Sequence, residues 1–487
     1  MKVLNDILKE VHIIAKEGNL NISVRDIIFD SRKIIPGCLF VAVKGTKTDG
    51  HQYINKAVEK GATAIICEKL PEKIVSGIAY ILVKNSAETL GLVASAFYNH
   101  PSTKIKLIGV TGTNGKTTTV TLLYNLFRKL GHKAGLLSTI RNYIDDNVID
   151  ATHTTPDAVQ INHLLDKMVQ SGCDYCFMEV SSHAIDQCRI SGLDFTGAVF
   201  TNITHDHLDY HKTFANYIKA KKKFFDDLKP ESFALINTDD KNGRVMVQNT
   251  RARVKSYGIK TAADFKAKII ESHFEGSLLR IDNADVWTYF VGTFNAYNLL
   301  SVYATALMFG LNSAEILTTL SLLKPVEGRF ETFRSQHGIT AIVDYAHTPD
   351  ALFNVLNTIN QIRKKEQDLI TVVGAGGDRD KTKRPQMAKI AVTNSNKVIL
   401  TSDNPRTEDP NQIIEDMKTG LPEEDRIKTI AITDRKEAIR TACLLAKKND
   451  IILVAGKGHE TYQEVNGVKH HFDDREIIKQ TFNEIYN

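Results

Sequence analysis

A chain of 487 residues is longer than one hydrophobic core supports, and the usual domain size divides it into about three units. Its 42% hydrophobic and 24% charged residues are ordinary for a globular protein and exclude a disordered or low-complexity chain. Lys plus Arg at 62 against Asp plus Glu at 57 leave a net charge of +5 without a dense basic cluster, so no nucleic-acid partner is implied, while an anionic nucleotide suits the balance.

Residues 1–10 alternate charged and apolar side chains where a signal peptide would be apolar, and no stretch is long enough to span a membrane. With only six cysteines, this predicts a cytoplasmic protein with reduced thiols that does not engage a membrane. Residues 1–101 then alternate short β-like runs at 37–43, 62–67 and 78–83 with polar helical segments, and close at His100-Pro101-Ser102. This predicts a small α/β domain. Residues 102–332 continue with a longer strand–helix alternation, and a third βα series over 333–487 has strands at 339–343, 369–373, 397–401 and 450–455. The fold class expected is α/β in three domains. A central ATPase-type parallel sheet is flanked by the small N-terminal domain and a Rossmann-like C-terminal one, with ligands at the carboxyl ends of the strands.

The apolar run 105–110 leads into Gly112-Thr-Asn-Gly-Lys-Thr-Thr118, and a helical pattern follows at 120–127. A strand, a glycine-rich turn and a helix start in that order form a phosphate cradle. Gly112 and Gly115 let the backbone N–H groups of Thr113 and Asn114 curl inward, and the helix N-terminus adds partial positive charge. Lys116 would reach the β- and γ-phosphates, with the Thr117 hydroxyl on Mg²⁺ and Thr118 beside it. The common phosphate-loop pattern requires glycine where this chain has Val110, so the loop is a shortened variant and argues against a small GTPase or kinase.

Glu179 follows an apolar strand, where a carboxylate either holds the Mg²⁺ of a nucleotide or is simply solvated. His205, Asp206, His207, Asp209 and His211 resemble a metal cluster, but the spacing misses the HxHxDH of metallo-β-lactamase-like hydrolases by one residue. That misfit favours a Mg²⁺ role for one histidine over a dinuclear zinc site, and leaves His205 and His211 as hydrogen-bonding loop residues. Cys173 and Cys176 have redox or zinc spacing, but lie in or beside a strand with no second pair, which favours a packing role. Over 217–225 the spacing predicts an amphipathic helix, and composition alone places all its lysines on the surface.

Gly112–Thr118, Glu179-Val-Ser-Ser-His183, Asn202 with Asp206-His-Leu-Asp209, Tyr217-x-x-Ala-Lys221, Asn295-x-x-Asn298, Gly328-Arg-Phe-Glu331, Asp344-Tyr-Ala-His-Thr-Pro349 and Gly376-Gly-Asp-Arg-Asp380 occur in the order seen in Mur ligases. The chain resembles that family over essentially its whole length. It looks most like the members that add meso-2,6-diaminopimelate to UDP-N-acetylmuramoyl-L-alanyl-D-glutamate in peptidoglycan synthesis, and so serve cell-wall biogenesis, cell shape and division.

The resemblance implies a UDP-substrate site at Phe29, Ser31, Thr46, Lys47 and Thr48. It implies acceptor-peptide contacts at His153, Thr154, Thr155, Ser181, Gln187 and Arg189. ATP would be bound by the phosphate loop with Asn295, Arg329, Asp344 and His347. Lys116, Glu179, His207 and Lys221 would be catalytic, and Mg²⁺ would be shared by Thr117, Glu179, His207 and a carbamylated Lys221. Diaminopimelate would be held by Arg379, Asp403, Asn404, Pro405, Arg406, Gly456 and Glu460. The physical reason for Arg406 is that diaminopimelate carries one carboxylate more than lysine, which a guanidinium grips with two parallel charge-assisted hydrogen bonds. The partners implied are small molecules, and the protein is expected to be a monomer. The alternatives are a lysine-adding or folate polyglutamylating sister ligase, a nucleotide-binding regulator without catalysis, and a metallohydrolase.

Overall fold

The computed structural model describes residues 1–45, 48–151 and 153–486. Among these, three α/β layers follow one another along the chain, each built on its own sheet. The first sheet has the spatial order Ile13–Glu17, Ala79–Val83, Ala64–Cys67, Leu39–Val41, Ile27–Ile28, parallel except for Ile13–Glu17. Helix Ser86–Phe97 starts where Asn85 Oδ1 accepts the N–H groups of Ala87 and Glu88, both at 3.1 Å. It packs this layer against helix Ala158–Gln170 of the central one.

The central sheet has eleven strands and is parallel from Ala134–Leu137 through Tyr175–Glu179, Lys106–Thr111, Gly197–Phe200, Phe233–Asn237 and Arg253–Gly258 to Phe265–His273. Strands covered on both faces bury every side chain, and alternate residues feed two cores. Ile108, Val110 and Phe177 pack against helices Lys116–Lys129 and Thr293–Met308, while Leu107, Cys176 and Met178 face helices Ala158–Gln170 and Phe214–Asp226. Cys173 and Cys176 are buried free thiols in that second core, so they serve packing as the sequence favoured.

The structure adds what the expected parallel sheet did not include: antiparallel strands on both edges. Arg141–Ile144 and Asn147–Asp150 form a hairpin at one edge, and Gly276–Ile281 with Ala284–Thr288 extends the other as a meander. Buried and exposed residues alternate along Arg141–Ile144, while Asn147–Asp150 at the very edge is mostly exposed, and Asp145 and Asp282 take the positive φ that tight turns demand.

The third sheet has the order Glu331–Arg334, Thr340–Asp344, Ile451–Ala455, Leu369–Ala375, Lys397–Ser402, Thr429–Ala431, parallel except for the first strand. Behind its active end Arg435 and Asp474 form a completely buried ion pair, with two hydrogen bonds at 2.7 and 2.8 Å. Arg435 also reaches the carbonyls of Ser402 and Ala455, the last residues of two strands. The carboxyl ends of the central and third sheets open onto one cleft of about 1060 Å³.

Candidate active site

The phosphate loop forms because two positions admit only glycine. A Cβ on Gly112 would come within 1.8 Å of Thr201 Oγ1, and Gly115, at φ +86°, would meet Asn298 Oδ1 at 2.5 Å. The loop is tied to the strand end at Thr201: Thr113 N–H donates to Asn202 O at 2.8 Å, and Asn114 N–H to Asn202 Oδ1 at 2.9 Å. Lys116 folds back over the loop and donates to the carbonyls of Gly112 and Thr113 at 2.9 and 2.8 Å. Burial in the cleft lowers its pKa, against the pull of Glu179 and Asp206.

Glu179 is 1% exposed. Its Oε1 accepts the Thr139 N–H at 2.7 Å and the Thr139 hydroxyl at 3.0 Å, but buried Oε2 has no partner among the described residues. A desolvated carboxylate oxygen without a donor is costly, and a cation in the cleft would satisfy it. His207 stands at φ +55°, a strained conformation for a non-glycine residue, with its ring edge-on to His183 at 4.9 Å. Desolvation in the cleft, with the like charges of Lys116 and Lys221 nearby, lowers the imidazole pKa against the pull of Asp206 and favours the neutral form. Thr117, Glu179, His207 and Lys221 all line the cleft, and the Thr117 hydroxyl and the free Glu179 oxygen are hard oxygen donors of the kind Mg²⁺ takes.

Lys221 corrects the composition-based reading of the helix. Lys219 and Lys223 are exposed, but Lys221 is 1% exposed, on the stripe with Tyr217, Phe224 and Phe225. Its Nζ donates to Gly112 O at 2.9 Å, and desolvation pushes its pKa well below the ordinary lysine value, next to the like charge of Lys116. The three histidines of the 205–211 segment take separate partners. His211 Nε2 bonds Ser182 Oγ at 2.9 Å, His205 faces Asp380 at 3.8 Å, and His207 faces Asp206 at 3.4 Å. Among the described residues no three His, Cys, Asp or Glu side chains converge on one position.

The residues expected to contact the acceptor peptide lie beside Glu179. Thr155 donates to Glu179 O at 2.8 Å, Ser181 N–H donates to Thr155 Oγ1 at 3.1 Å, and the Thr154 hydroxyl lies 3.2 Å from Thr139 Oγ1, where it donates because the Thr139 proton is engaged by Glu179. Arg189 donates to Thr155 O and to Gln187 Oε1, both at 2.8 Å. His153 lines the same cleft, while Gln187 stands behind Arg189. Phe29, Ser31 and Thr48 sit on the first layer, outside the cleft; Thr46 and Lys47 lie outside the described residues.

Residues beyond the central layer complete the site. Asn295 and His347 line the cleft, and His347 Nδ1 donates to Tyr345 O at 2.7 Å. Arg329 donates to Thr117 Oγ1 at 3.4 Å, lies 4.5 Å over the Tyr345 ring, and leaves its buried Nε without a partner among the described residues. Burial raises Asp344 to about 6, against the opposing charge of Arg329. At the far end Arg379, Asp403, Asn404, Arg406, Gly456 and Glu460 share the lining, and Pro405 is buried in the turn between them. Asn404 donates to Glu460 Oε2 at 2.8 Å and accepts from Lys457 at 3.1 Å, while Arg406 donates to Gly377 O at 2.7 Å.

Several site residues escaped the sequence reading. Lys383 pairs with buried Asp206, and Asn114 donates to Asp350 at 2.9 Å, each linking the phosphate side to the third layer. Thr139 clamps Glu179 from an edge turn. Asp206 and His183 stood inside quoted motifs, but nothing in the pattern around Lys383, Asp350 or Thr139 marks them.

A glycine-rich phosphate loop, a buried acid with a free oxygen and a second α/β layer closing the same cleft define an ATP-using ligase of two facing halves. Family comparison agrees: residues 23–98 match the model described as "Mur ligase family, catalytic domain", 110–306 "Mur ligase middle domain" and 328–458 "Mur ligase, glutamate ligase domain". The chain belongs to the Mur ligase family. It is 57% identical over 481 residues to the UDP-N-acetylmuramoyl-L-alanyl-D-glutamate--2,6-diaminopimelate ligase of Bacteroides thetaiotaomicron, covering 99% of this chain and 100% of that one. The enzyme of the same name from Clostridioides difficile is 42% identical, with 98% and 99% covered. A solved structure of a ligase of that name superposes with a TM-score of 0.70 at 32% identity, covering 100% of this chain and 99% of the other. A Thermotoga maritima MurF ligase in complex with ADP, 20% identical over 95% and 97% of the two chains with a TM-score of 0.63, shares the fold.

Proposed function

We propose that this chain is an ATP-dependent ligase that joins meso-2,6-diaminopimelate to the D-glutamate γ-carboxylate of UDP-N-acetylmuramoyl-L-alanyl-D-glutamate, acting as a cytoplasmic monomer in peptidoglycan precursor synthesis. The observation that carries the reading is one cleft lined by the phosphate loop, the Thr154–Thr155–Ser181–Arg189 row and the Asp403–Arg406 turn. The named relatives, matched end to end, support it. Residues 1–101 would hold the uridine nucleotide through Phe29, Ser31 and the 46–48 segment, residues 102–332 ATP and the acceptor, and residues 333–487 the incoming amino acid.

The γ-carboxylate, presented by Arg189 and Ser181, attacks the γ-phosphorus of ATP. The bond to ADP breaks and an acyl phosphate forms. The diaminopimelate amine then adds to the acyl carbon, loses a proton and expels phosphate, leaving an amide. Lys116 and the loop N–H groups neutralise charge on the transferring group, and Arg329 approaches the same phosphates from the other side of the cleft. Thr117, Glu179, His207 and a carbamylated Lys221 would hold magnesium, which when bound would add charge neutralisation at the phosphate oxygens. Desolvation favours the neutral amine of Lys221, the nucleophile that adds CO₂ to give a carbamate and a released proton. A ¹³C carbamate signal from protein equilibrated with labelled bicarbonate, lost in Lys221→Met, checks this assignment.

The reaction is tested by phosphate release and product mass with UDP-N-acetylmuramoyl-dipeptide, ATP, Mg²⁺, bicarbonate and either meso-diaminopimelate or L-lysine. A tripeptide with diaminopimelate is expected. Product with lysine alone would overturn the specificity, and no product with either, from folded protein, would overturn the reaction.

A further inference from the structure

Just outside the lining of the amino-acid end of the cleft, against Arg406, stands an acidic side chain that the proposed reaction does not use. Arg406 occupies a left-handed position at φ +53°, and its backbone is stitched to the strand Tyr462–Val465. Its N–H donates to Glu464 O at 3.0 Å, and its carbonyl accepts the Asn466 N–H at 2.7 Å. The Glu464 backbone is fixed in turn by its N–H, which donates to Asn404 Oδ1 at 2.9 Å. These bonds bring the Glu464 carboxylate to 3.4 Å from Arg406 Nε, while the other end of the guanidinium is tied to Gly377 O. The two side chains are 21% and 27% exposed, so the pair is only partly screened by water.

Arg406 therefore has a resident carboxylate before any ligand arrives. A second carboxylate reaching the guanidinium enters beside a like charge, whereas an ammonium arriving there is favoured. The other charges at this end are either paired with each other, as Lys457 and Glu460 are at 3.1 Å, or set on the adjoining turns, as Asp403 and Arg379 are.

We infer that Glu464 is a positioning residue that holds Arg406 and sets, through its own charge, how strongly the cleft discriminates among amino acids by the net charge of their distal end. The inference rests on the diaminopimelate reading and deepens it. The distal end of diaminopimelate, bearing both ammonium and carboxylate, is neutral overall; that of L-lysine is +1; that of L-2-aminopimelate, which lacks the ammonium, is −1. Removing the Glu464 charge shifts these three in an order that electrostatics dictates, because a neutral end gains little and the two charged ends move in opposite directions.

The variant is Glu464→Gln, which keeps the side-chain shape and an acceptor oxygen toward Arg406. The measurements are the KM for diaminopimelate and the competition constants of L-lysine and L-2-aminopimelate against diaminopimelate-dependent phosphate release, in both proteins. In the variant L-2-aminopimelate should bind about fivefold tighter, diaminopimelate should stay within about twofold, and L-lysine should bind about fivefold weaker. Glu464→Asp, which retains the charge, should restore the original order. A common shift of all ligands, or none, overturns the inference, and any two of the three ligands suffice to read the trend. Absence of product with diaminopimelate in the unaltered protein would instead overturn the parent reading, so the two failures are distinguishable.

Discussion

The phosphate side and the amino-acid side of the cleft reach order by opposite means. On the phosphate side the backbone is locked by glycine geometry and strand-end hydrogen bonds, yet among the described residues Glu179 Oε2 and Arg329 Nε are buried without partners, and Lys116 donates to its own loop carbonyls. On the amino-acid side the charged groups are largely satisfied before a ligand binds: Arg406 by Glu464 and Gly377, Lys457 by Glu460 and Asn404, Arg384 by Glu408 and Asp416. The first arrangement holds unmet electrostatic demand for a highly charged ligand. The second is a braced pocket whose selectivity comes from exchanging one partner for another.

If that contrast is right, removing a phosphate-side charge should cost catalysis and leave folding alone. Lys116→Ala should lower kcat by about 10³-fold or more, the scale on which one preorganised donor to a transferring group acts. Its thermal midpoint should match the parent's, because the half-buried ammonium donates to its own loop carbonyls, Gly112 O and Thr113 O, and not to a carboxylate. A variant that loses its stability along with its rate would break the comparison at its strongest point.

The converse holds behind the amino-acid pocket. Asp474→Ala leaves Arg435 charged, fully buried and unpaired, and should cost about 3–5 kcal/mol in a denaturant unfolding titration. The same residue anchors the strand ends at Ser402 and Ala455, so affinity for the amino acid should weaken in step with stability. Nearer the ligand, Arg406→Lys keeps the charge but loses the planar fork. The KM for diaminopimelate should rise about tenfold with kcat nearly unchanged, a split that steady-state kinetics at saturating ATP resolves.

How much of this arrangement was legible in the chain depends on the distance over which each signal acts. The phosphate loop, the catalytic strand ends and the Asp403–Arg406 turn are local patterns, and each lies where strand and turn chemistry places it. Lys221 was legible in principle: Tyr217, Lys221, Phe224 and Phe225 share one helical face, and that spacing outranks the lysine-rich composition. The antiparallel edge strands were hidden because short, half-exposed runs offer no more pattern than loops. Lys383 with Asp206 and Asn114 with Asp350 could not be read at all, since each pair is more than 170 residues apart and meets only once two layers face each other.

The subtlest separation of the two sides lies in their pH response. Burial raises Asp344 to about 6, above the 3.8 of an unperturbed carboxyl, because the charged form is disfavoured there. A folded-state pKa raised in this way favours the folded protein at low pH; the contribution is fully present below about 3.8 and is lost as pH rises through about 6. Activity runs the other way, since only the carboxylate gives Arg329 a counter-charge and keeps it aimed at Thr117 and the phosphates. Acidification from pH 7 to 5 should therefore reduce kcat/KM for ATP by about tenfold at the lower end while this residue's share of stability grows. Asp344→Asn, neutral at every pH, isolates that share: the difference in unfolding free energy between parent and variant should change across pH 4–6. The KM for diaminopimelate, read at saturating ATP, should stay flat over the same range if the braced pocket is electrostatically independent of the phosphate side. A parallel drift of both constants would mean that the two sides titrate as one site.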